Sequence, residues 1–141
     1  MLSLTKSAAR YVSKLSNKIR RKLDGFSCRD SFSGSQGRTL HFLLAQTEDI
    51  FQRDIEEEYS IRPSTASQML NQMEENGLIR REAMPYDHRL KRIVLTEKAL
   101  TYRQRVVHDL TDLEQTLTRD IPEEDLAVFF RVVEKMMDNL S

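Results

Sequence analysis

Two short stretches hold the residues best suited to chemistry. In RPSTASQMLNQMEENG, residues 62–77, a turn of about 100° per residue puts Ala66, Met69, Leu70 and Met73 on one helical face. Ser64, Thr65, Ser67, Gln68 and Asn71, with Gln72, fall on the opposite face. These short hydroxyls and amides both donate and accept hydrogen bonds. They suit base edges in a major groove, where Gln or Asn pairs with adenine and Ser or Thr adapts. In the first turn, hydroxyls and backbone N–H groups also hold phosphate, and Arg62 adds a cation just ahead of Pro63. A solvated helix face has the same composition, so the neighbouring elements must decide.

The second stretch is YDHRLKRIVLT, residues 86–96. Arg80, Arg81, Arg89, Lys91 and Arg92 cluster on a ribbon too short to have its own core, with His88 beside them. An arginine at the tip suits a narrow A·T minor groove. Asp87 precedes it by two residues, where an acid would weaken attraction to an anion. The expectation is that Asp87 holds the Arg89 guanidinium in a bidentate contact and so orients it. The alternative is that Asp87 only favours the turn. The expected DNA contacts of this ribbon are Arg80, Asp87, His88, Arg89 and Lys91.

Other chemistries find little support. His41, His88 and His108 are scattered without carboxylates at ligand spacing, so no metal site is expected. There is no Gly-rich phosphate loop, and no nucleophile has a base and an orienting group beside it. The chain is therefore expected to be no enzyme and to need no cofactor. The single cysteine, Cys28, excludes an internal disulfide and fits the reducing cytoplasm. It is expected in a loop beside Arg29 and Asp30 as an unreactive thiol, although the neighbouring base would favour thiolate.

Leu4, Ala8, Val12, Leu15, Ile19 and Leu23 form one stripe of a long amphipathic helix, which Gly25 is expected to end. Ser33 and Gln36 are spaced as a capping box ahead of Leu40, Leu43 and Leu44. A minimal strand at Ile50–Phe51 precedes a short helix around Ile55 and Tyr59. Pro63 suits the first turn of the next helix, and Gly77 stops it. LIRREAM and LKRIVLT read as strands joined by PYDHR. Thr96 is expected to cap one helix running to about Arg119, and Pro122 to open a last one. Two short helices followed by a two-stranded ribbon make a winged helix-turn-helix, whose second helix enters the major groove.

The fold class is therefore mainly α, with long terminal helices around a winged helix-turn-helix. Dimerisation helices are expected over about 1–31 and 97–141, and the DNA-binding lobe over about 32–96. The 141 residues, 31% charged and 39% hydrophobic, suit one helix-rich globular domain. No apolar run approaches the roughly 20 residues that span a bilayer, so no membrane partner is expected. The formal net charge is zero, but two basic zones, residues 1–30 and 60–92, flank an acidic one. Such a pattern still allows a local anion-binding face. The apolar stripes of the first and last two helices exceed what a monomer of this size covers, which implies a homodimer.

STASQMLNQMEENGLIRR and DHRLKRIVLTEKA closely resemble the MarR family of bacterial transcription regulators, and the resemblance covers nearly the whole chain. It implies a cytoplasmic dimer that binds a pseudo-palindromic double-stranded operator, usually as a repressor relieved by a small molecule, a metal or oxidation. Ser64, Thr65, Ser67, Gln68, Asp87 and Arg89 match the family's reading positions. Gln68 stands where many members carry a base, which favours base contact over phosphate contact. Family effectors often bind between the dimer helices and the DNA-binding lobe, where Arg10, Tyr11, Lys14 and His41 are candidates. The alternative function is a dimeric winged-helix module that binds protein instead of DNA.

Overall fold

The structure, a computed structural model, describes residues 4–29 and 34–141. They form two compact units, Met1–Asp109 and Leu110–Ser141. The first opens with a 3₁₀ turn, Leu4–Lys6, and helix α1, Ala8–Arg29. α1 does not end at Gly25. Phe26, beyond it, stacks on His41 with ring centroids 6.3 Å apart. That burial offsets the roughly 1 kcal/mol that an interior helical glycine costs relative to alanine. Cys28 therefore lies on the last turn of α1 rather than in a loop; its side chain is outside the described residues.

Helix α2, Gly34–Ala45, carries Leu40, Leu43 and Leu44 into the core. Ser33, half of the expected capping box, also lies outside the described residues. The other half, Gln36, has a different engagement: its Oε1 accepts from Asn76 Nδ2 at 2.7 Å. Strand β1, Ile50–Phe51, leads into α3, Gln52–Tyr59. The Phe51 N–H donates to Asp54 Oδ2 at 2.8 Å, which fixes the entry to that helix.

The turn after α3 is tight because Ser60 takes a left-handed backbone, φ 51°. Its N–H reaches the Glu56 and Glu57 carbonyls, and Ile61 N–H reaches Glu56 O at 3.0 Å. Helix α4, Pro63–Glu75, then begins with proline in its first turn, where no N–H is needed. Ala66, Leu70 and Met73 are fully buried, as the helical wheel predicts. Gly77, at φ +74°, turns the chain into the sheet.

The sheet has the order β1–β3–β2 and is antiparallel, with β2 at Ile79–Met84 and β3 at Asp87–Leu95. Ile79, paired with Leu95, and Ile93, paired with Ile50, anchor it to the core. Thr96 caps the next helix as expected, its hydroxyl accepting from Ala99 N–H at 3.2 Å. That helix is not continuous. It divides into α5, Glu97–Leu100, and α6, Arg103–Leu117. Thr101 explains the break: its hydroxyl donates to Lys98 O at 2.6 Å, competing with the helical ladder. The Tyr102 N–H closes a tighter bond to Ala99 O.

The boundary between the two units falls within α6. The second unit continues through Asp120, at φ 61°, to α7, Glu123–Leu140. Val128, Phe129, Phe130, Val132, Met137 and Leu140 of α7 are exposed, and no α7 residue is buried. No helix among the described residues is long and apolar enough to cross a membrane.

Candidate nucleic-acid interface

Helix α4 is held from behind and open in front. Thr39 of α2 donates its hydroxyl to Met69 Sδ at 2.8 Å, and Gln52 Nε2 reaches Pro63 O at 3.2 Å. These contacts, with the buried Ala66, Leu70 and Met73, fix which face turns outward. Arg62, Ser64, Thr65, Gln68, Asn71 and Gln72 are exposed, and Ser67 is half-buried. The proposed base-reading face is thus presented as one surface.

Asn71 is less free than its neighbours. Arg81 of β2 donates through Nη2 to Asn71 Oδ1, and the same nitrogen is 3.1 Å from Glu74 Oε1. This contact holds the Glu74 carboxyl below its ordinary value, chiefly through the hydrogen bond from Arg81. Arg81 therefore joins sheet to helix instead of facing outward. The Asn71 amide nitrogen has no hydrogen-bond partner among the described residues, and the residue is exposed.

The wing differs from the sequence reading at its tip. Pro85 and Tyr86 alone form the turn, and strand β3 resumes at Asp87. Met84 pairs with Asp87, yet the adjacent Ala83 pairs with Lys91. His88, Arg89 and Leu90 therefore bulge from the ladder, which re-aims the Arg89 side chain. The Arg89 N–H donates to Asp87 Oδ1 at 3.0 Å, and Arg89 Nε lies 3.6 Å from the same oxygen. The expected bidentate contact is not formed. One carboxylate oxygen both fixes the bulge and flanks the guanidinium, whose side chain is 95% exposed.

The other ribbon cations divide into two kinds. Arg92 donates to Glu82 Oε2 at 3.0 Å and lies 3.5 Å from Asp49, while Arg80 reaches Glu82 Oε1 at 3.3 Å. Hydrogen bonds from Arg92 and then Arg80 lower the Glu82 carboxyl below the usual range. Glu82 in turn raises Arg92. These cations are partly neutralised within the sheet. Lys91 is exposed and forms no ion pair among the described residues. His88 is exposed on the bulge.

The four candidate effector residues do not form one site. Arg10, Tyr11 and Lys14 are exposed on the first half of α1, and Arg10 Nη1 donates to Thr5 O at 2.9 Å. His41 is buried against Phe26, about 22 Å further along the helix at 1.5 Å per residue. Its Nδ1–H donates to Gly37 O at 2.6 Å, and Nε2 has no protein partner among the described residues.

A cavity of about 640 Å³ opens elsewhere on α1, lined in part by Ile19, Leu23, Arg38, Tyr59, Thr65 and Met69. Burial pushes the Tyr59 phenol upward, and its hydroxyl donates to Arg38 O at 3.2 Å. Arg38 is held in turn by Asp24. The stripe spacing of α1 contained Ile19 and Leu23 but not their role, because the cavity depends on how four helices meet. Among the described residues, no group of three His, Cys, Asp or Glu could hold a metal ion.

Helix, tight turn, exposed helix and tethered ribbon define a winged helix-turn-helix protein. The sequence profile of the MarR family matches residues 31–90. S. aureus MepR in its DNA-binding conformation is 26% identical, with a TM-score of 0.86 over 96% of this chain and all of that one (100%). The transcription regulator MarR from Oenococcus oeni PSU-1 is 25% identical, with a TM-score of 0.82 over 94% of this chain and 99% of that chain. The S. aureus MepR–DNA complex gives 25% identity and a TM-score of 0.79 over 95% of this chain and 98% of that chain. Residues 31–90 thus match the MarR family, and the chain as a whole has the fold of these two regulators.

Proposed function

We propose that the protein is a sequence-specific DNA-binding transcriptional regulator, acting in the cytoplasm as a homodimer. The observation that carries this reading is the pairing of two exposed features. One is the uncharged hydroxyl and amide face of α4; the other is the protruding Arg89 of the wing. Ser64, Thr65, Ser67, Gln68 and Asn71 would read bases or hold phosphate in the major groove, with Arg62 on the backbone. Arg89, oriented by Asp87, would enter the minor groove, with His88, Lys91 and Arg80 nearby. The similar MepR chain has been solved with DNA, which supports the same use of this fold.

Dimerisation would use residues 1–31 and 97–141 around a DNA-binding lobe at 32–96. Support comes from α7, whose exposed Phe129, Phe130 and Met137 need a covering surface. Two-fold symmetry then implies a pseudo-palindromic operator with half-sites about one helical turn apart. Repression relieved by a small molecule fits the cavity under α4. Thr65 belongs both to that cavity and to the exposed first turn, so a ligand there would bias the position of the reading helix.

The test is a titration of the full chain against a duplex recovered by selection from a random-sequence pool, beside a scrambled duplex. Tight, salt-sensitive binding of the selected duplex alone is expected. Equal or absent binding of both would favour a protein-interaction module.

A further inference from the structure

Beside the wing lies a groove of about 280 Å³ that the α4 and wing readings leave unexplained. Its walls carry Arg53, Arg81, Arg89 and Lys91, and its apolar surface comes from Phe51, Leu90 and Ile93. Among the described residues, no Asp or Glu lines it. Arg81 is held by Asn71 and Glu74 and Arg89 is flanked by Asp87, which leaves Arg53 and Lys91 as the lining cations with no ion pair among the described residues. Arg53, on the first turn of α3, lies over the Phe51 ring at 5.2 Å and forms no ion pair among the described residues. Like charges gathered around one small groove repel one another, and a bound anion removes that cost.

The groove's position is as informative as its charge. Arg81, which lines it, also holds Asn71 of α4, and Arg89 of the wing bulge lines it too. A chain lying in the groove would therefore connect the elements assigned to the major and minor grooves. A sugar–phosphate chain has the matching chemistry, with an apolar deoxyribose face and an anionic phosphodiester.

We propose that this groove, between the first turn of α3 and the wing, seats one sugar–phosphate step of the operator strand. Arg53 and Lys91 hold the phosphodiester, and Phe51 and Leu90 pack against the sugar. Arg53 is the new assignment. It stands outside the helix and ribbon clusters that the sequence singles out, since only the β1–β3 pairing brings α3's first turn to the wing. The inference rests on the DNA-binding reading above.

The experiment uses the full chain, a duplex selected from a random pool, and single methylphosphonate substitutions walked along one half-site. Wild type should lose affinity at one phosphate between the α4 and wing contacts. Arg53→Gln should bind the unmodified selected and scrambled duplexes about tenfold more weakly, by similar factors, with a salt slope smaller by about one. It should also be insensitive to the methylphosphonate that harms wild type, while Arg53→Lys restores part of that sensitivity. Unchanged circular dichroism would confirm that the exposed substitution leaves the fold intact. A wild type that binds no duplex would overturn the functional reading and this site with it. A wild type that binds, with Arg53→Gln equally tight and equally sensitive at every phosphate, would overturn the groove assignment alone. So would saturable binding of inorganic phosphate, at constant ionic strength, that Arg53→Gln abolishes without altering DNA affinity; the groove would then serve a free anion.

Discussion

Asp87 Oδ1 accepts the Arg89 backbone N–H at 3.0 Å and lies 3.6 Å from the Nε of the same arginine. A single oxygen thus stabilises the bulge and sits beside the charge that the bulge projects. The exposed ion pair contributes only about 0–1 kcal/mol to fold stability. Its effect is on where Arg89 points, because an arginine held in advance loses less rotamer entropy on entering a groove.

The two roles of Asp87 separate by substitution. Asp87→Asn keeps an oxygen for the backbone N–H but removes the charge, whereas Asp87→Ala removes both. Operator affinity should fall in the order wild type, Asp87→Asn, Asp87→Ala. Asp87→Ala should add little further loss on the Arg89→Ala background, since nothing remains to be aimed. A double-mutant cycle on duplex binding measures this. Tighter binding by Asp87→Ala would mean that the acid only repels DNA.

Gln68 is exposed on α4 and its side chain forms no ion-pair or hydrogen-bond contact among the described residues. Gln68→Ala should cost roughly 1–3 kcal/mol on the selected duplex and much less on a scrambled one. Binding competitions between the two duplexes read the difference directly. Equal losses would make Gln68 a backbone contact.

Most of the exposed face of α4 was legible in the sequence, because helical periodicity alone separates Ala66, Leu70 and Met73 from Ser64, Gln68 and Asn71. The two-residue β1 was legible from its apolar pair, and its pairing with Ile93 and Arg92 follows once β3 exists. The wing tip was not. Alternation predicts paired strands, whereas the slip between Ala83 and Met84 depends on the turn formed by Pro85 and Tyr86. Neither was the division among the arginines legible. Arg81 and Arg92 look equivalent to Arg89 in sequence, and only the placement of Asn71, Glu74, Glu82 and Asp49 commits them to internal partners. The helix break at Thr101 was missed because a hydroxyl bonded to the preceding turn leaves no periodic trace.

The Arg81–Glu74 contact predicts a specific acid sensitivity. Glu74 is lowered from its ordinary 4.5 by the Arg81 hydrogen bond, so the folded state binds this proton more weakly than the unfolded chain. Its contribution is present above pH 4.5 and is lost as pH falls through the depressed value. Solvent screening at this partly exposed pair limits the effect to about 1 kcal/mol or less. Urea unfolding of wild type and Glu74→Gln at neutral pH and at about pH 3 should show the gap closing in acid. A constant gap would mean that Glu74 acts through packing alone.

The exposed apolar face of α7 predicts an assembly defect that leaves secondary structure intact. Phe130→Glu should convert a micromolar dimer into monomer and weaken operator binding strongly, because each half-site then binds alone. Sedimentation and circular dichroism together check this. A wild-type monomer at micromolar concentration would contradict it.

The central claim is that the uncharged face of α4 and the protruding Arg89 together read DNA. Fluorescence anisotropy of the selected and scrambled duplexes, measured from about 50 to 200 mM salt, tests it most directly. The account predicts at least about 10³-fold preference for the selected duplex, with affinity falling linearly in log–log form as salt rises. Arg89→Ala should lower that slope by about one, and Gln68→Ala should shrink the preference while leaving the slope nearly unchanged. Binding that ignores both sequence and salt, or wild-type binding that neither substitution alters, would contradict it.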